Sequence, residues 1–226
     1  MKILVSIEST GIHLGISLYS WDPKVRHGAK ISTYYSMVAF RQADLLIPTL
    51  NSQLEKTKQN KKDIACVAVD IGPGSFTGVR VGVSAARALG QSLRIPVVGV
   101  SSLEAMAFKE LKNKKTGSMG VVSLLRALEG ESYVAVYVKE NSSSALRPLL
   151  PPSWMSNKEI EPALKKIKHR SKNINFFRTK EFPHPESVAE VALQKLKTGS
   201  GKAAFVYEKA QPLYLQPSWA ERNLRR

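Results

Sequence analysis

The chain has 226 residues, 43% hydrophobic and 23% charged, enough for one large or two small globular units with a buried core. No apolar run approaches the ~18 residues of a membrane span, the opening MKILVSIEST lacks the marks of a secretory signal, and one cysteine, Cys66, excludes an internal disulfide. The expected setting is a reducing cytoplasm, and 34 basic against 18 acidic residues, a net charge of +16, ask for an acidic partner.

The apolar runs ILVSIE and Leu14 to Tyr19 read as two strands joined by the turn STGIH. A weaker strand is expected around Lys30 to Val38. From Arg41 to Lys58, Leu45, Leu46, Leu50 and Leu54 share one helical face, with Pro48 either kinking the helix or marking its first turn. Ile64 to Val69 and IPVVGV read as buried strands. Ser101 and Glu104 then have capping-box spacing ahead of a helix near 102–112. GSMGVVSLLRALEGESYVAVYVKE predicts two strands around Gly130. Ser156 and Glu159 form a second capping box before a basic amphipathic helix, NINFFR is a short strand, and HPESVAEVALQKLKTG a last helix. The joint between subdomains 1–107 and 108–226 is expected near 108–118. The first segment carries +5 and the second +11, through runs such as KELKNKK, KKIKHRSK and ERNLRR. No aromatic residues alternate with these runs, as a base-stacking surface requires.

DIGPGSFTGVRVGVSAARALG raises the possibility of a phosphate loop. A Walker loop starting at Gly72 needs glycine at position 77 and then lysine; Thr77 stands there and no lysine follows. The dinucleotide pattern fails at the same place. Gly72, Gly74, Ser75 and Thr77 still form a strand–turn–helix junction whose free amides suit an anion, with Ser75 or Thr77 as cap. Within the helix, Gly78, Gly82, Ala86 and Gly90 recur every four residues beside Val79 and Val83. Each helical glycine costs ~1 kcal/mol against alanine, so close approach of another backbone is the natural compensation. Read as an outward rail, this stripe predicts that Gly82→Leu blocks docking and leaves the fold intact.

GPGSFTGVRVG followed by RIPVVGVSSLEAMA resembles the TsaB (YeaZ) family of bacterial proteins acting in threonylcarbamoyladenosine synthesis on tRNA. LLIPTL and the late PLYL also fall where that family has counterparts; the resemblance is strong over 1–107 and thin over 108–205. It implies an α/β, two-lobed actin-like or sugar-kinase-like fold of mixed sheets flanked by helices. It also implies kinship to TsaD, the subunit that transfers the threonylcarbamoyl group. Catalytic relatives carry two metal-binding histidines four apart after the IPVVGV strand, a spacing that shares one helix face; here the places fall on Ser102 and Met106. The resemblance therefore implies no metal and no catalytic residue in this chain. Glu8 stands where actin-like phosphotransferases keep an aspartate, and Arg126 and Glu129 depart from the family pattern.

The resemblance further implies a non-catalytic subunit that docks on TsaD. The expected surface comprises Leu45, Leu46 and Leu50 of one helix and Gly78, Val79, Gly82, Val83, Ala86 and Gly90 of the other. The implied partners extend to a TsaE-type ATPase and, indirectly or weakly, to tRNA; the same surface allows a homodimer. No cofactor is expected in the isolated chain, with any ATP or ADP held at the partner complex. Two rivals stand beside this reading. One is an active ATPase, kinase or metallopeptidase of the actin-like superfamily. The other is a tRNA-binding module using Lys165, Lys166 and Lys168.

Overall fold

Strand β1 (Ile3–Glu8) is buried on both faces, and that property sets the layering of the molecule. In this computed structural model, residues 1–22, 28–112, 114, 119–139, 146–171, 173–198 and 205–216 are described. The first sheet adds β2 (His13–Ser20), β3 (Lys30–Met37), β4 (Ile64–Asp70) and β5 (Val97–Val100), in the order β3-β2-β1-β4-β5. β2 runs antiparallel to β1 and β3, while β4 runs parallel to β1 and β5. Parallel strands covered on both sides read as continuous apolar runs, which is why IACVAVD is so plain in the sequence.

Ile3, Val5 and Ile7 face α1 (Gln42–Lys56) and α2 (Phe76–Leu93), which contribute Leu46, Leu50, Leu54, Val79 and Val83. Leu4, Cys66 and Ala68 face the other way, towards α3 (Ser102–Leu111) and α5 (Pro185–Thr198). α3 is shared between lobes: its Leu103, Met106 and Leu111 pack on Val121, Ala135 and Tyr137 of the second sheet. That sheet contains β6 (Met119–Arg126), β7 (Glu131–Lys139), β8 (Leu146–Ser156) and β9 (Asn175–Thr179), ordered β8-β7-β6-β9. α4 (Asn157–Arg170) closes its far face with Ile160 and Leu164. The layers thus run helices, sheet, helices, sheet, helix.

The lobes do not divide cleanly at 107/108, because α5 covers the first sheet and the segment around Tyr207 packs beside Gly90 of α2. Parts of the expected joint, residues 113 and 115–118, and the basic ending 221–226 lie outside the described residues. β8 is not expected from LRPLLPPSWMS. Its prolines are tolerated because β8 is an edge strand, where a missing amide leaves no ladder bond unmade, and its pairing with β7 shifts register twice. Of the two capping boxes, Ser156–Glu159 forms: the Ser156 amide donates to Glu159 at 3.0 Å. Ser101–Glu104 does not, because the Glu104 carboxylate pairs instead with Lys195 of α5 at 2.7 Å.

The small stripe of α2 faces the protein's own interior, which corrects its reading as an outward rail. A Cβ on Gly78 would fall on the Ser9 carbonyl oxygen, and one on Gly82 would meet the Ser9 hydroxyl, with Val69 and Ile7 just beyond. Gly90 lies against Val97 and Tyr207, and Ala86 is fully buried. Gly78 admits the backbone of the β1–β2 turn, while Gly82 and Gly90 admit the side chains of Ser9 and Val97. Gly82→Leu is therefore an overpacking change, expected to lower unfolding free energy by about 3 kcal/mol or more. Gly78→Ala is expected to act in the same direction. Urea denaturation of both variants checks this; wild-type midpoints contradict it.

Candidate functional site

Helical periodicity decides what α2 offers to solvent once Gly78, Val79, Gly82, Val83, Ala86 and Gly90 are buried. The opposite crest consists of Thr77, Ser84 and Ala88, all exposed, flanked by half-buried Val81 and Ala85. Its centre is small and uncharged, with Gln91 exposed at one end and Arg87 half-buried at its edge. Arg80 is drawn to one side, where its guanidinium lies 3.8 Å from the Phe76 ring centroid and its Nε donates to Tyr214 Oη at 2.8 Å. Beside α2, α1 buries Leu46 and Leu50 in the core, half-buries Leu45, and leaves Ile47 and Pro48 exposed. Of the residues predicted to meet a partner, Leu45 alone reaches the surface. Thr77, Val81, Ser84 and Ala88 also follow helical spacing, so the crest is legible in the sequence beside the more conspicuous glycines.

The glycine turn serves mainly internal bonds. Gly72 has φ +97°, a conformation that L side chains rarely adopt, and its amide donates to Asp70 Oδ1 at 2.8 Å. Ser75 is the cap, accepting the Gly78 amide at 3.3 Å, while Thr77 faces outward. Of the four predicted anion-binding residues, Gly74 and Ser75 remain turned to the space between the lobes.

Beneath this turn lie two buried carboxyls at the ends of parallel neighbours, one residue beyond the Ile7–Val69 pair in register. Glu8 Oε1 accepts from the Thr10 amide at 2.7 Å and the Thr10 hydroxyl at 2.8 Å. Asp70 Oδ1 accepts from Ser102 Oγ at 2.6 Å as well as from Gly72. Glu8 Oε2 and Asp70 Oδ2 have no partner among the described residues. Burial, and then the charge of Asp70, push Glu8 up to about 8; burial pushes Asp70 up to about 7 against its hydrogen bonds. The pair therefore shares at least one proton near neutrality, which spares one dry site two adjacent charges.

Ser102 is engaged by Asp70, and Met106 is 1% exposed within the core between the lobes. His13 stacks on Tyr35 at 4.7 Å and meets Phe182 edge-on, while His184 lies against Tyr35. Among the described residues no three His, Cys, Asp or Glu side chains gather as a metal would require. No described helix is long and apolar enough to cross a membrane. Cys66 is buried, and burial pushes its thiol up, away from the reactive thiolate.

Raised carboxyl pKa values mean that the folded chain holds more protons than the unfolded chain between the ordinary carboxylate range and about pH 8. Their contribution to stability falls as pH rises through that window. His184, lowered mainly by burial, works in the opposite sense as pH rises towards its unfolded value and adds no further change above it. The diagnostic is thus a difference: Glu8→Gln should lose less stability than wild type between about pH 5 and about pH 8. Denaturant midpoints across the range measure it, and parallel curves refute it.

The family model of TsaD, tRNA N6-adenosine threonylcarbamoyltransferase, matches residues 38–213. The Bacillus subtilis tRNA threonylcarbamoyladenosine biosynthesis protein TsaB is 30% identical over 138 residues, 61% of this chain and 56% of its own length. The Escherichia coli TsaB is 30% identical over 112 residues, 50% of this chain and 48% of its own. The chain thus spans about half the length of the curated relatives it matches. In fold, a solved structure of YeaZ from Pseudomonas aeruginosa superposes with a TM-score of 0.75 at 19% identity, over 95% of this chain and 100% of that one. From α1 through the glycine turn to α5 the architecture lies inside the matched span, and the chain belongs to the family that this model describes, tRNA N6-adenosine threonylcarbamoyltransferase.

Proposed function

We propose that this chain acts in threonylcarbamoyladenosine synthesis on tRNA as a non-catalytic subunit that docks on and activates a TsaD-type transferase. The observation that carries this reading is the outward side of the α1–α2 pair. On a molecule of net charge +16, α2 presents an uncharged crest of Thr77, Ser84 and Ala88 beside exposed Ile47 and Pro48 of α1. Depletion of charge marks the centre of protein interfaces, and small residues let a partner helix approach closely. The reading also draws on Ser102 and Met106, which occupy the places of the catalytic relatives' histidines and serve internal packing and bonding.

Docking of this kind contributes no reacting group. It acts by binding one conformation of the transferase more tightly than the other, so that the population shifts to the competent form. A second copy of the chain can use the same helices when the transferase is absent, in a self-complementary pairing. A TsaE-type ATPase, and ATP or ADP, belong to the assembled complex in this reading.

Contact with tRNA is a second reading, favoured by α4. Its Lys165, Lys166 and Lys168 are all exposed, without an ion pair among the described residues. Such a surface contributes through counterion release, so affinity falls steeply with salt. Replacing all three by glutamate should flatten the dependence of log affinity on log salt, with a slope smaller by about 1 for each phosphate that is no longer neutralised.

The docking face is tested with Ala88→Arg, an exposed helix position where the change costs the fold little. Affinity for the cognate TsaD-type protein, measured by calorimetry, should drop by about tenfold or more while the melting temperature holds. Unchanged affinity refutes the assignment of this face.

A further inference from the structure

A strand at the border of a sheet carries a row of backbone groups with no ladder to join, and proteins blunt such borders with proline, charge, bulges or short length. Three of the borders here follow that rule. β8 carries Pro148, Pro151 and Pro152, β5 has four residues, and β9 has five with Arg178 exposed among them. β3 is different. It has eight residues, its one charged side chain is Lys30 at the first position, and its register shift against β2 lies at that same end. From Ile31 to Phe40 there is neither charge nor proline, on a chain of net charge +16.

The ladder with β2 fixes which backbone groups are left over. Val38 donates its amide to the Ile12 carbonyl at 3.0 Å, in line with the His13–Met37 and Leu14–Ser36 register. Directly bonded pairs alternate along an antiparallel ladder, so Ser32, Tyr34 and Ser36 turn their backbone groups towards β2. Thr33, Tyr35 and Met37 turn theirs outward. Among these outward groups only the Met37 carbonyl has a partner within the described residues, the Ser36 hydroxyl at 3.5 Å.

The two faces of β3 are already occupied, which holds the edge in place. Ile31 and Tyr34 pack on the first core. On the other side Thr33 Oγ1 donates to Glu186 at 2.8 Å, Tyr35 Oη donates to the Pro183 carbonyl at 3.3 Å, and the Tyr35 ring lies against His13 and His184. A strand fixed in this way has little order left to gain when it pairs along its edge. Symmetry decides what fits it. When two copies of β3 meet antiparallel about a two-fold axis at Tyr35, Tyr35 faces its own counterpart and Thr33 faces Met37 of the second copy. Every outward amide then meets an outward carbonyl. Lys30 falls opposite uncharged position 40, so no like charges oppose each other across the pair.

We propose that the β3 edge is a self-association surface, on which a second copy of this chain adds its own β3 antiparallel with Tyr35 on the two-fold axis. The surface is separate from the α1–α2 docking face, since Thr33, Tyr35 and Met37 do not belong to that face. Ala88→Arg closes the helix route, and sedimentation of this full-length variant over a concentration series should still show mass rising towards the dimer. In the same background Met37→Pro removes one outward amide and no bond to β2. It should weaken self-association about tenfold or more while the melting temperature holds. A second arm does not depend on the proline variant. Thr33→Cys with Met37→Cys sets thiols of opposite copies at the Cα separation of a directly bonded pair, about 5.5 Å, which a disulfide spans. Cys66 is buried and does not compete. Air oxidation should link this double variant into dimers on a denaturing gel and leave Thr33→Cys alone unlinked. A monomer at every concentration in Ala88→Arg overturns the proposal. So does Met37→Pro associating as strongly as its background, or a double-cysteine variant that stays unlinked. Linkage through Thr33→Cys alone overturns the register.

Discussion

The backbone of α2 rests directly on the β1–β2 turn, and most of the molecule is arranged around that contact. Ser9 donates its hydroxyl to the Gly78 carbonyl at 2.8 Å, and the Thr10 carbonyl accepts the Ser75 amide at 2.6 Å. Side chains at 74, 78 or 82 would occupy the volume that Ser9 and Thr10 fill. These glycines are therefore a steric requirement of the layer contact, and their unfavourable helix propensity is offset by packing between the helix and the sheet. The contact also orients α2. With one face pressed on β1 and β4, the crest of Thr77, Ser84 and Ala88 must point outward.

The same contact seals the carboxyl pair. Glu8 and Asp70 end adjacent parallel strands directly under the turn that Gly72 closes, and each has one oxygen satisfied by backbone and hydroxyl donors and one without a partner among the described residues. Their burial would be prohibitive as two ionised groups, so protonation is part of the fold. α3 is packed between two sheets, with Ser102 bonded to Asp70 and Met106 filling the core. The layer that joins the lobes is thus committed to packing, and the outer helix pair and the interlobe cleft are left facing solvent.

Most of the elements are legible in the sequence. Buried parallel strands and amphipathic helices impose strong signals, and residues 3–8 and 64–69 show them plainly. The elements that escaped carry local signals that mislead. The prolines of β8 argue against a strand because edge position cannot be read from one segment. Ser101 and Glu104 have capping-box spacing, but Lys195, 91 residues from Glu104, competes for the carboxylate. The tail has no periodicity at all, yet Leu213 donates its amide to Ile71 and Ala210 is buried in the first core.

The sequence by itself determined the strand and helix order apart from β8, the family, and the fact that one helix must be approached at close range. Short-range chemistry suffices for these: apolar period, turn residues, and the cost of glycine in a helix. Only the tertiary structure decided which backbone that helix meets. A stripe of small residues states a distance and says nothing of the partner, because Ser9 of the same chain and a helix of another chain satisfy the same steric condition. The meeting of Glu8 with Asp70 across two strands likewise exists only where the sheet brings them together.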